Sequence, residues 1–240
     1  MGTPVRLDKY LADMGIGTRS EVKGYIRKGR VKVDGKVIKE PDLKLDNVNS
    51  EVCFDNQKLE YESLEYYMLN KPAGVVSATA DNHCKTVVEL IETGKRKDLF
   101  PVGRLDKDTE GLLLISNDGD LAHRLLSPKK HVAKVYYARV KGRVTEEDIK
   151  IFETGIKLEE DLITLPARLT IVKAGKESEI EVTVFEGKFH QVKRMFEAVG
   201  KEVLYLKRLS MGELQLDKTL APGSYRKLTE EELNKLKGKM

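Results

Sequence analysis

Residues Gly103-Arg104-Leu105-Asp106-Lys107-Asp108-Thr109-Glu110-Gly111 form a charged, glycine-bounded segment, and Leu112-Leu113-Leu114-Ile115 follow at once. The apolar run is too short for a core helix and rich in branched side chains, which predicts a buried strand. Glycine at both ends lets the backbone turn tightly or approach a neighbour closely. A fold that accepts this segment must bury the run and present Asp106 on a loop at its head, a common place for chemistry.

On residue types alone, two other readings of the loop stand beside a reactive acid. An ordinary turn capped by its Asp is one. A calcium loop is the second, because Asp106, Asp108 and Glu110 alternate ahead of Gly111. The calcium reading fails at its far end. Where a bidentate Glu is required stands Asn117, and the intervening Leu112 to Ile115 cannot ligate a cation.

Composition narrows the class. The chain has 240 residues, 34% charged and 40% apolar, which suits one large or two modest globular domains. No apolar run approaches the roughly 20 residues that span a bilayer, and no secretory pattern opens the chain. Cys53 and Cys84 make neither a disulfide framework nor a zinc site, and the four histidines lack ligand spacing. These features predict a cytoplasmic protein with no metal and no cofactor. Net charge is +4, and within residues 1–48 Lys and Arg exceed Asp and Glu by four, a weak pointer to nucleic acid.

Punctuation along the chain predicts an α+β protein of two domains. Residues 5–58 read as a small helix-hairpin domain, 59–64 as a linker and 65–240 as a larger domain. Thr18-Arg19-Ser20-Glu21 is a capping box that opens a helix over 19–28, with Val22 and Ile26 on its inner face. Val31-Lys32-Val33-Asp34-Gly35-Lys36-Val37 alternates around an Asp-Gly turn and predicts a hairpin. Residues 49–64 look polar and without a long apolar face. In the larger part, strands are expected at 66–69, 111–116, 132–141, 165–173, 178–185, 202–209 and 212–216. Helices are expected at 119–126, from Thr145 to about 154, at 188–199 and after Thr229. Strands that follow one another directly argue for a mainly antiparallel mixed sheet flanked by helices.

Several blocks together resemble the RNA pseudouridine synthases of the RsuA and RluA superfamily. They are Gly103-Arg104-Leu105-Asp106 with Asp108 to Leu114, Leu69-Asn70-Lys71-Pro72-Ala73-Gly74, Lys134-Val135-Tyr136, and Glu186 through His190-Gln191-Val192-Lys193-Arg194 to Phe196. The N-terminal part, through Arg6-Leu7-Asp8-Lys9-Tyr10-Leu11 and the Gly29-to-Gly35 stretch, resembles a small RNA-binding domain shared by a ribosomal small-subunit protein and bacterial tyrosyl-tRNA synthetases. The wording from His190 to Phe196 and from Leu220 to Thr229 looks most like the branch acting on the small ribosomal subunit. Large-subunit enzymes and a non-catalytic assembly factor of the same fold are the alternatives.

The resemblance implies a pseudouridine synthase fold, a metal- and cofactor-free isomerisation of a uridine in the 5′ domain of 16S rRNA, and a monomer acting on ribosomal RNA, free or in a partly assembled subunit. It implies that Asp106 engages the ribose, as nucleophile at C1′ or base at C2′. Tyr136 offers a ring for the uracil, while Tyr137 faces the other way by strand alternation. Lys193 holds Asp106 ionised, with Arg194 as the alternative partner. Arg104 aids base flipping or holds phosphate. Asn70, Lys71, Thr109, Gly111, His190, Gln191 and Arg194 complete the expected substrate set, with Asn70, Lys71 and Gly74 building the wall behind the loop and Lys71 reading equally as a buried structural cation. Arg6, Lys9, Arg19, Lys23, Arg27, Lys28, Arg30 and Lys32 are the expected phosphate-binding set of the N-terminal domain.

Overall fold

The computed structural model describes residues 4–45, 50–59, 64–92 and 98–238. The chain forms two compact units, Met1–Glu65 with Glu92–Leu99, and Tyr66–Ile91 with Phe100–Met240. Most of the expected linker lies outside the described residues; Leu59, at its start, is buried with the N-terminal core.

In the N-terminal unit, helices Leu7–Asp13 and Arg19–Arg27 pack with a four-stranded antiparallel sheet. Its order is Lys36–Ile38, Val31–Val33, Val52–Phe54, Gln57–Leu59. The Thr18 side chain accepts from the Glu21 amide and the Glu21 carboxylate returns the bond, so two orphan amides of the second helix are satisfied. Val22 and Ile26 are fully buried beneath it. Within 49–64, expected to be polar and without a long apolar face, Val52–Phe54 and Gln57–Leu59 form a second hairpin. Its turn residues Asp55 and Asn56 both take positive φ. Asp and Asn tolerate that conformation, and without a glycine the turn is hard to see in sequence. The first helix was also missed, because Arg6 at its N-cap makes no capping bond.

The larger unit is built on a nine-stranded sheet. Along it run Arg168–Lys173, Glu177–Val184, Lys134–Lys141, Glu202–Met211, Glu110–Ser116, Tyr66–Lys71 and Tyr225–Lys227. Leu214–Gln215 pairs beside Glu202–Met211, and Phe100–Val102 beside Glu110–Ser116. Among the described strands, every strand-to-strand pairing is antiparallel except one, in which Lys207 and Arg208 lie against Glu110 and Gly111. Leu112 to Ile115 are fully buried, as the apolar run requires. Helices Gly119–Leu126, Glu146–Thr154, Gln191–Ala198 and Glu230–Lys237 flank the sheet, and the Phe152 and Phe196 rings meet at 4.9 Å. The Thr145 and Thr229 capping boxes form. The helix expected over 188–199 starts at Gln191, because His190 adopts φ +48 and ends the preceding turn. The strand expected from 165 starts at Arg168, past Pro166, whose ring removes a donor. The strands Phe100–Val102 and Tyr225–Lys227 and the hairpin Lys157–Glu159 with Leu162–Ile163 were not foreseen.

The parallel contact depends on a missing side chain. Gly111 has φ +99, and a Cβ there would sit 2.3 Å from the Arg208 carbonyl oxygen and 2.8 Å from its amide nitrogen. Backbone cannot yield as a side-chain tip can. Gly111→Ala is therefore expected to cost about 2 kcal/mol or more, read as a lower denaturant midpoint. An unchanged midpoint would show that the two strands can separate freely.

Candidate active site

The Asp106 loop is fixed from both sides. Ser77 Oγ donates to the Leu105 carbonyl at 2.8 Å and accepts from the Leu105 amide at 3.0 Å. The Gly74 amide donates to the Lys107 carbonyl at 2.8 Å, and the Thr109 amide to the Asp106 carbonyl at 3.1 Å. Beneath the loop, Lys71 Nζ donates to the carbonyls of Thr109 at 2.8 Å, Pro72 at 3.1 Å and Lys107 at 3.2 Å. Lys71 is sealed from solvent. Burial lowers its pKa to about 8, against the opposing pull of the Asp108, Asp106 and Glu110 carboxylates.

Asp106 opens into a cavity of about 660 Å³ lined also by Arg104, Lys134, Tyr136, His190 and Arg208, within the usual range for a small-molecule-sized pocket. A narrower recess beside it reaches Thr109, Gln191 and Val184. The side chain of Asp106 is 25% exposed and faces two groups from the helix start: Lys193 Nζ at 3.4 Å from Oδ2 and His190 Nε2 at 3.6 Å from Oδ1. Lys193 lies closer still to Asp108, at 2.6 and 2.8 Å, and its hydrogen bond pulls the Asp108 carboxyl below its ordinary range. Lys193 thus bridges two carboxylates. Arg194 points elsewhere, to Glu159 at 2.5 Å.

Lys134–Lys141 alternates so that Lys134, Tyr136, Ala138 and Val140 share the buried face. Tyr136 therefore lines the cavity, and Tyr137 instead donates to Glu179 at 2.8 Å. Gln191 is held by bonds with Glu186 and the Lys188 amide. Arg104 is exposed at the rim without a charge partner among the described residues.

Of the residues expected to touch substrate, Thr109 and Gln191 line only the recess, Arg194 turns to Glu159, and three more line neither space. Asn70 is buried and donates to the Leu220 carbonyl at 2.7 Å, Lys71 grips the loop from behind, and Gly111 serves the strand contact. They support the site and do not form its surface. Ser77, Lys134 and Arg208 join it without having been expected.

In the N-terminal unit the basic set divides. Asp8 is fully buried and collects Arg6 at 3.1 Å, Arg19 at 3.3 Å and Lys23 at 3.9 Å. Burial alone would raise the Asp8 carboxyl, but the hydrogen bonds from Arg6 and Arg19 outweigh it and hold it below its ordinary value. Lys9 pairs with Asp13, Arg30 with Asp55 beneath the Tyr25 and Phe54 rings, and Lys32 with Asn56. Arg27 and Lys28 are exposed and have no partner among the described residues.

A family model described as RNA pseudouridylate synthase matches residues 65–198, and one described as S4 domain matches residues 5–52. A Bacillus subtilis protein described as the uncharacterized RNA pseudouridine synthase YtzG is 50% identical over 97% of this chain and 98% of its own. Ribosomal large subunit pseudouridine synthase B of B. subtilis is 39% identical over 97% of this chain and 95% of its own. Ribosomal small subunit pseudouridine synthase A of Vibrio cholerae is 40% identical over 95% of this chain and 98% of its own. A crystal structure of a pseudouridylate synthase superposes with a TM-score of 0.68 at 36% identity, covering 97% of this chain and 99% of that one.

The buried Lys71 predicts a pH signature. Its pKa is about 8 in the fold and about 10.5 in an unfolded chain. Below pH 8 both states hold the proton and its cost is constant. Between pH 8 and 10.5 the unfolded chain binds more protons, so stability contributed at this site rises with pH. The stability difference between wild type and Lys71→Met should shift toward wild type across that window and stay flat below it. A difference flat across the whole range would contradict a desolvated Lys71 ammonium.

Proposed function

The chain belongs to the RNA pseudouridylate synthase family, and we propose that it converts one uridine in the 5′ domain of 16S rRNA to pseudouridine, with Asp106 as the carboxylate that engages the ribose. The activity is an isomerisation: the C1′–N1 bond breaks, the base turns, C1′ bonds to C5, the C5 proton leaves and N1 gains one. Ribosomal RNA is the substrate class, since relatives along the whole length are named as large- and small-subunit enzymes.

The observation that carries the residue assignment is the setting of Asp106. It stands half-buried at a cavity, on a loop pinned by Ser77 and Lys71, beside one cation and opposite an aromatic wall. Fixing the carboxylate before substrate arrives removes an orientational cost from the barrier. Tyr136 gives the uracil a surface to stack on. Lys193 holds the Asp106 carboxylate in place while sharing itself with Asp108. Arg104, unpaired at the rim, suits a phosphate or the gap left when the target base leaves its stack. Within the expected phosphate-binding set, Arg27 and Lys28 are the cations most available to phosphates. The small-subunit target is favoured by the residues from His190 to Phe196 and from Leu220 to Thr229, and a monomer acting on a partly assembled subunit completes the reading.

Mapping pseudouridines in rRNA from cells lacking this protein tests the target. One site in the 16S 5′ domain should be lost and should return with the wild-type gene. Loss confined to 23S rRNA would move the enzyme to the large subunit, and an unchanged map would remove the assignment.

The cation assignment predicts a split between neighbours. Lys193→Met should lower turnover by about a hundredfold, the scale of a misplaced reacting group, and Lys193→Arg should lose much less because the charge remains. Arg194→Met should stay near wild type. The opposite ranking would transfer the pairing to Arg194.

For the N-terminal unit, Arg27→Gln with Lys28→Gln should weaken RNA binding and reduce the slope of log affinity against log salt by about 1–2. Arg30→Gln should change the slope less, because Arg30 is already paired with Asp55. Equal slopes for wild type and the double variant would place the phosphate contacts elsewhere.

A further inference from the structure

Arg208 is a charged side chain with too few partners for its burial. It is 2% exposed and lines the Asp106 cavity. Its Nε donates to the Leu112 carbonyl at 2.8 Å, while Nη2 is buried with no hydrogen-bond partner among the described residues. Arginine does not lose its proton in proteins, so the cost of a half-satisfied buried cation cannot be relieved by neutralisation. A second buried cation, Lys134, lines the same cavity, and among the described residues its Nζ holds only the Val132 carbonyl, at 2.9 Å. Burial together with the like charge of Arg208 lowers the Lys134 pKa to about 8, against Glu186. Glu186 is itself engaged with Lys188 and Gln191. Strand pairing sets Arg208 directly across from Tyr136, and the glycine contact at position 111 fixes the Arg208 backbone.

An excess of buried positive charge facing a cavity is matched by a ligand that becomes negative inside it. Pseudouridine formation produces one. Heterolysis of the C1′–N1 bond leaves the electron pair on the base, so uracil departs as a monoanion with charge spread over N1, O2 and O4. C1′ is compensated by the Asp106 carboxylate, or by loss of a C2′ proton to it. Reattachment through C5 consumes the anion, the C5 proton leaves and N1 is protonated.

We infer that Arg208, assisted by Lys134, is a catalytic residue that stabilises the detached uracil anion while it turns within the cavity. The inference rests on the isomerase reading above. Donors preset for a charge that exists only after bond breaking stabilise the transition state more than the bound uridine.

The test compares leaving groups. RNA carrying uridine or 5-fluorouridine at the target is incubated under single-turnover conditions, and consumption of the target nucleoside is read by mass spectrometry after digestion. Fluorine makes the base more acidic, so its anion needs less help. Arg208→Gln should consume uridine about 10²–10³-fold more slowly than wild type, the scale for one lost donor. Its defect on 5-fluorouridine should be at least about tenfold smaller, and Arg208→Lys should fall between the two. A purely structural role would lower both substrates equally, and equal defects overturn the inference. Asp106→Asn separates the two ideas: activity in that variant would remove the parent reading, whereas an inactive Asp106→Asn with equal Arg208→Gln defects removes only this one. If Arg208→Gln does not fold, the wild-type enzyme still decides. Inhibition by 5-nitrouracil should strengthen as pH rises through that compound's ionisation and should exceed inhibition by neutral uracil. Inhibition that does not change with its ionisation overturns the proposal.

Discussion

One buried ammonium organises the reactive loop. Lys71 gathers the Lys107 and Thr109 carbonyls on either side of Asp108, together with that of Pro72, and so pins the loop from below. Loop backbone normally seeks water, and a loop held by its own carbonyls must be given a donor from below. The sheet supplies that donor at the end of Tyr66–Lys71, next to the start of Glu110–Ser116. The cost of burying the charge appears as the lowered Lys71 pKa. The return is a carboxylate whose position is set before any substrate enters.

Charge around the cavity is unevenly distributed, and the distribution carries the functional reading. Lys193 satisfies Asp106 and Asp108 together. Arg208 and Lys134, on adjacent antiparallel strands, are left with few acceptors. Both cations line the cavity into which Asp106 opens. A nucleoside whose sugar meets the carboxylate while its base meets the cations would be polarised along the bond that breaks.

Much of this was legible in the sequence, for definite reasons. Capping boxes at Thr18, Thr145 and Thr229 are local chemistry, so the helices they open form as expected. Leu112 to Ile115 could only be a core strand, and the alternation that separates Tyr136 from Tyr137 follows from pleating alone. What was not legible depends on long-range pairing. Lys134 and Arg208 read as ordinary surface cations until Lys134–Lys141 and Glu202–Met211 are placed side by side. The sequence leaves Lys71 open between a substrate contact and a buried structural cation, and only the fold shows the side chains of Asn70 and Lys71 turned toward backbone carbonyls. The second N-terminal hairpin escaped because Asp55 and Asn56 make its turn without glycine. The burial of Asp8 beneath three cations, which removes Arg6, Arg19 and Lys23 from the freely available phosphate binders, is likewise invisible before folding.

The central claim is that chemistry occurs at the Asp106 carboxylate. The most direct measurement is the turnover of Asp106→Asn on a 16S 5′-domain RNA, with thermal unfolding and RNA affinity measured in parallel. Asn is nearly isosteric, so folding and binding should match wild type. Turnover should fall by about a thousandfold or more, as for loss of a nucleophile or base. A folded, RNA-binding variant that still turns over within about tenfold of wild type would contradict the account.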